Sequence, residues 1–167
     1  LDRKEEAIAD WNKLIELARS DRLRYTMITN AMLQAGATDE AIQLLIDGRL
    51  NLKDPHAFAY DLGRIYAAKH NYDFASREYL THLDLNPGML DHVSNQLIRF
   101  LENDGAFEEV DRNFDLMLKT PGNHQALVLS RAKLLLHQKH YVRCASTVLS
   151  SDLSKSIRHV MAIADDL

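Results

Sequence analysis

The sequence predicts an all-α protein assembled from antiparallel helix pairs that recur along the chain. Three observations lead there. Ala7, Ala41, Ala75, Val110 and Cys144 stand 34, 34, 35 and 34 residues apart. Each is followed four positions later by a large apolar residue: Trp11, Leu45, Tyr79, Phe114 and Val148. One helical turn separates the two members, so each pair shares a helix face. The second observation is scarcity: 167 residues contain only six glycines and three prolines, which suits helices joined by short connections. The third is periodicity, because apolar residues recur at helical spacing and no stretch alternates as a strand would. Self-similarity at this period implies a stack of units around a continuous core.

The elements follow in order. Residues 3–19 read as an amphipathic helix with Ala7, Ile8, Trp11, Leu14, Ile15 and Ala18 on one stripe. Residues 22–35 form the next helix, closed by Gly36. Thr38 or Asp39 caps a helix carrying Ala41, Ile42, Leu45 and Ile46. Asp54-Pro55 reads as cap and first-turn proline of a helix with Phe58, Leu62, Ile65 and Tyr66. A break at His70-Asn71 leads to its partner, carrying Phe74, Ala75, Tyr79 and Leu83. Asn86-Pro87-Gly88 is a turn. Helices at 90–103, 106–119, 124–137 and 140–150 continue the alternation, and 152–165 supplies a last one after Ser151 or Asp152. Connections this short favour antiparallel neighbours. The whole chain, 1–167, reads as one array. Residues 1–21 are the second helix of a truncated unit, 22–55, 56–89, 90–124 and 125–151 are helix-pair units, and 152–167 is a terminal helix.

Composition narrows the function. A net charge of −4 and a pI near 6.0 argue against a duplex nucleic-acid binder. No apolar run is long enough to insert in a membrane. The single Cys144 excludes an internal disulfide or a cysteine metal cluster. It slightly favours the cytosol and leaves the periplasm open. The chain starts at Leu1 inside a repeat and so reads as a piece cut from a longer protein.

The phased units resemble tetratricopeptide (TPR) repeats. That family's first helix carries an aromatic, Leu-Gly and Tyr; its second carries Ala and an aromatic, and Pro closes the unit. Residues 56–89 hold Leu62-Gly63, Tyr66, Ala75, Tyr79 and Pro87 in register, with Ala59 in the first aromatic slot. Residues 22–55 keep Tyr25, Ile28, Ala41 and Leu45, with Thr29 in place of Gly. Residues 91–124 keep Leu97, Val110 and Phe114, with Pro121 one place early. Residues 125–158 put Arg131 in the Leu slot and keep Ala132, Leu135, Cys144 and Val148. The resemblance implies a right-handed α-solenoid whose first helices line a concave groove.

Stepping back eleven residues from the ruler gives the column that the resemblance places in the groove: Asn30, Arg64, Arg99 and Lys133. One turn earlier stand Thr26, Tyr60, Asn95 and Leu129. Arg64, Arg99 and Lys133 would bind carboxylates of an acidic peptide. Asn30 and Asn95 would bind its backbone, and Tyr60 offers an apolar plate with a polar tip. The bland alternative is that these residues are simply solvated. A carboxylate clamp of the chaperone-binding kind is disfavoured, because the corresponding slots hold Thr26, Asn30, Asp61, His92 and Gln96, and Asp61 would repel an anion.

Other features weigh less. His137 and His140 read as surface histidines, and Trp11 and Cys144 as core. Leu33, Leu129 and Leu136 are candidates for an apolar groove pocket, while Leu50 and Leu52 pack at a helix end. No phosphate-binding glycine loop, nucleophile elbow or zinc motif is present, so no catalytic residue, cofactor or metal is expected. The reading is a non-enzymatic protein–protein interaction scaffold that holds a partner segment in its groove. A substrate-presenting or regulatory module of a larger enzyme, and a self-association module, are the alternatives.

Overall fold

The computed structural model describes Trp11 and residues 21–151. The expected helices at 3–19 and 152–165 therefore lie outside the described residues, apart from Trp11, which is helical and half-buried. Among the described residues the protein is all-α, with no strand. The helices are α1 (Arg22–Gln34), α2 (Thr38–Leu52), α3 (Ala59–Ala68), α4 (Tyr72–Leu85), α5 (Leu90–Phe100), α6 (Ala106–Met117), α7 (Gln125–His137) and α8 (Tyr141–Leu149). Pro87–Met89 forms a short 3-10 turn before α5. The chain divides into two compact units between Ile65 and Tyr66.

In the first unit α1 packs on α2. Asp21 caps α1 by accepting from the Leu23 and Arg24 amides. Tyr25, Ala41 and Leu45 are fully buried between the helices. The buried stripe of α2 is Ala41, Leu44, Leu45 and Gly48, not the expected one, for Ile46 is exposed and Ile42 half-buried. A step of 3.6 residues per turn stacks 41, 44/45 and 48 and leaves 42 and 46 about 100° round the helix. Ala37, not Thr38 or Asp39, occupies the cap position of α2, and no side chain caps it.

The helix expected from Asp54 begins only at Ala59. Asp54 does cap a turn, accepting from the His56 amide at 3.0 Å, but Phe58 then takes a left-handed φ of 61°. Its ring is buried against Tyr25, centroids 5.5 Å apart. Room for both rings comes from Gly48, where an added Cβ would lie 2.9 Å from the Phe58 ring and 3.0 Å from the Tyr25 ring. Burial of a large ring outweighs the strain of the turn, which is of order 1–2 kcal/mol.

In the second unit α4 packs on α5 and α6, α5 on α7, and α7 on α8. Ala75, Tyr79, Leu97, Val110 and Phe114 are fully or nearly fully buried there. Ala132, Leu135, Cys144 and Val148 form one apolar cluster, with Phe107 and Leu136 packed against it. Two leucines considered for a groove pocket are thus core: Leu129 is buried and Leu136 joins this cluster. Phe74 lies outside the core, 44% exposed, with its ring on Tyr66 and under Arg77. Leu50 is 75% exposed and packs at no helix end.

The repeat is written in the backbone as well. Gly36, His70, Gly105 and Lys139 have φ of 75°, 56°, 77° and 59° and keep the register of the ruler. At three of the four, the next amide donates to the carbonyl five residues back: Ala37 to Met32, Asn71 to Tyr66 and His140 to Leu135. Each closes the last turn of a first helix and reverses the chain. Gly105 follows the one 35-residue interval; α5 ends at Phe100, five residues before it, and the Ala106 amide reaches only Asn103.

Two outcomes are expected in denaturant unfolding. Lys139→Gly relieves a left-handed lysine and, after the added chain entropy of glycine, stabilises by about 0.5–1 kcal/mol. Gly48→Ala forces a Cβ into two rings and destabilises by about 1–3 kcal/mol. An unchanged midpoint in either variant contradicts the corresponding geometry.

Candidate functional site

Asn30 lies on α1 and Arg64 on α3, both exposed in the first unit; Tyr60, also on α3, is half-buried. Asn95 and Arg99 lie on α5 in the second unit, exposed and one turn apart. Lys133 stands on α7, which packs beside α5. A buried hydrogen bond of 2.9 Å from Ser94 Oγ to Ser130 Oγ joins these two helices. On their exposed flank Lys133 pairs with Asp91. Asp91 stands eight residues before Arg99 on α5, two helical turns away.

The charges in the column are therefore unequal. Lys133 is already matched. Arg64, Arg99, Asn30 and Asn95 carry no side-chain hydrogen bond or ion pair among the described residues. A free guanidinium on an exposed helix keeps its full fork for a planar oxyanion. A free carboxamide offers one acceptor and two donors to a peptide backbone.

A charge network that spacing alone did not reveal joins α6, α7 and α8. Arg131 replaces the expected leucine, yet its side chain is only 12% exposed. It lies 2.8 Å from Asp111 and 2.7 Å from Asp115, one turn apart on α6. Arg143 of α8 shares Asp111. One arginine thus joins α7 to α6, and its neighbour brings in α8. A second network joins α4 to α6. Asp73 accepts from Arg112 at 2.7 Å and pairs with Arg77 at 3.0 Å. Asn113, buried on α6, donates to the Asp73 carbonyl at 2.9 Å and to Ser76 Oγ at 2.8 Å. Partial burial, the largest influence on the Asp73 carboxyl, raises its pKa, but Arg112, Arg77 and Asn113 together hold it below the usual value of 3.8.

Burial pushes the Cys144 thiol up and its Sγ faces the Ala132 carbonyl, as an inert packing residue would. His140 stacks on Phe107 at 5.1 Å, and His137 is exposed. Among the described residues no group of three or more His, Cys, Asp or Glu is arranged to hold a metal ion. Nor is any described helix long and apolar enough to cross a membrane. Neither a scan against models of protein families nor searches of curated proteins and of solved structures returned a match.

Removing Arg131 strands two acids against a largely buried face. Arg131→Leu is expected to cost about 2–3 kcal/mol in unfolding free energy, less than a fully isolated pair because Arg143 still faces Asp111. Arg131→Leu combined with Asp111→Leu should recover much of that loss; a double variant as unstable as the sum of its singles contradicts the network. For Asp73, whose folded pKa is depressed, stability is present above the unfolded value of about 3.9 and is lost as pH falls through the lower folded value. Asp73→Asn should flatten the acid limb of the stability curve, measured by thermal melts.

Proposed function

We propose that this chain is a TPR-like interaction scaffold, a right-handed stack of helix pairs that holds an acidic, extended or helical peptide segment of a protein partner in its concave groove. The observation that carries this reading is the pair of free guanidiniums. Arg64 and Arg99 occupy the same repeat position and remain exposed and unpaired among the described residues. In a chain of net charge −4 they are cations kept apart from the available acids. The recurrence of the left-handed turn at Gly36, His70, Gly105 and Lys139 supports the repeat on which the reading rests.

In this mechanism Arg64 and Arg99 receive carboxylates and Asn30 and Asn95 receive peptide backbone groups. Tyr60 contributes apolar area, and Lys133 serves through its pair with Asp91. A scaffold already ordered before binding loses little conformational entropy of its own, so the ordering cost falls on the peptide.

The experiment is a pull-down with the immobilised chain, wild type beside the double variant Arg64→Glu/Arg99→Glu, read by mass spectrometry. Partners recovered by wild type and lost from a variant that melts normally are the expected result. Equal recoveries from both proteins contradict the proposal, and loss of the cooperative melt in the variant makes the two arginines structural instead.

A further inference from the structure

His124 sits where α4, the 118–124 turn and the start of α7 meet, with 10% of its side chain exposed. Its Nδ1 lies 2.8 Å from Asp84 Oδ1 in the last turn of α4. Its Nε2 lies 2.8 Å from the Thr120 carbonyl oxygen and 3.3 Å from Thr120 Oγ1. The Thr120 hydroxyl donates to the Met117 carbonyl at 2.7 Å, so towards the ring Oγ1 offers only a lone pair. Every group facing the two ring nitrogens is therefore an acceptor. A neutral imidazole has one N–H and one lone pair, and would aim that lone pair at either a carboxylate or a carbonyl. Only the imidazolium satisfies both sides.

The surroundings reinforce this demand. Asp84 stands at a helix C-terminus, where an acid is disfavoured and a cation beside it is welcome. Gly122 supplies room for the ring, since a Cβ there would lie 2.7 Å from a ring carbon. A cleft of about 750 Å³ opens beside the histidine. Its other charged groups are Asp115 of α6, Lys119 of the turn and Arg131 of α7, while α8 and the residue that follows it contribute the hydroxyls of Ser146, Thr147 and Ser150 and no charge. Arg131 is occupied by Asp111 and Asp115. Asp84 is thus the carboxylate that holds the ring.

We infer that His124 is a pH-operated latch: as an imidazolium it ties the 118–124 turn to the end of α4, and on losing its proton it releases the turn and widens the cleft. The hydrogen bond to Asp84, opposed by burial and assisted by the Thr120 carbonyl, raises the pKa of His124 above its usual 6.5. A raised folded pKa fixes the sign. The stabilisation is complete below the unfolded value of about 6.5 and is lost as pH rises through the folded value. The latch is closed on the acid side and opens on the alkaline side, within the range where histidine switches operate.

The test follows the His124 ring by NMR on the whole chain from about pH 5 to about pH 9, with amide exchange of residues 118–124 recorded alongside. The expected result is a titration midpoint above about 6.5 and a severalfold loss of turn protection at that midpoint, beyond the ordinary base-catalysed rise. Asp84→Asn should move the midpoint down, and His124→Gln should remove the step in protection. A wild-type midpoint at or below about 6.5, or turn amides that ignore the titration, overturns the latch, and this holds even if a variant fails to fold.

Discussion

The protein depends on a backbone constraint: each passage from the first helix of a pair to the second goes through one residue held at positive φ. Gly36, His70, Gly105 and Lys139 meet it at the same position of each repeat. Two of these are residues for which the left-handed region costs roughly 1–2 kcal/mol. The compensation lies just beyond the turn, where Ala41, Ala75, Val110 and Cys144 are all buried. A tight reversal brings the second helix back against the first, and a small residue lets the backbones close. Turn and small residue are two halves of one device, five positions apart.

That device explains how much of the fold could be read from the chain. The ruler of small residues and the helical spacing of apolar ones gave the helices and most of their ends, because close approach leaves a compositional mark. The left-handed turns left a mark only where glycine stands, at Gly36 and Gly105; at His70 and Lys139 the same geometry is carried by residues that advertise nothing. Phe58 departs from the expected helix for a related reason. Asp54-Pro55 is a sound helix-start signal, but a buried ring over Gly48 took precedence and moved the start to Ala59. Ile42 and Ile46 went wrong by rotation about the helix axis, which a four-residue phrase defines poorly.

Charge was less legible than packing, since partners at sequence separations of 16 to 42 leave no periodic trace. Arg131, standing in the leucine slot of residues 125–158, ties α7 to α6, and Arg143 adds α8 through the shared Asp111. Lys133 looked like a free cation, and Asp91 holds it. Among the candidate residues that the resemblance singled out, Asn30, Arg64, Asn95 and Arg99 are exposed. The acceptors around His124 follow from a turn and a helix end whose meeting no spacing rule encodes. Among the described residues polar groups join α4 to α6 and α6 to α7 and α8, and the exposed guanidiniums of Arg64 and Arg99 are those on which the proposed binding rests.

The most direct measurement is backbone NMR of the chain, reading the sign of φ at residues 36, 70, 105 and 139 together with amide protection at Ala37, Asn71 and His140. The repeated turn requires positive φ at all four positions and slow exchange at the three amides bonded to carbonyls five residues back. Negative φ at His70 or Lys139, or fast exchange at their following amides, would contradict the repeated turn and with it the register of the helix pairs.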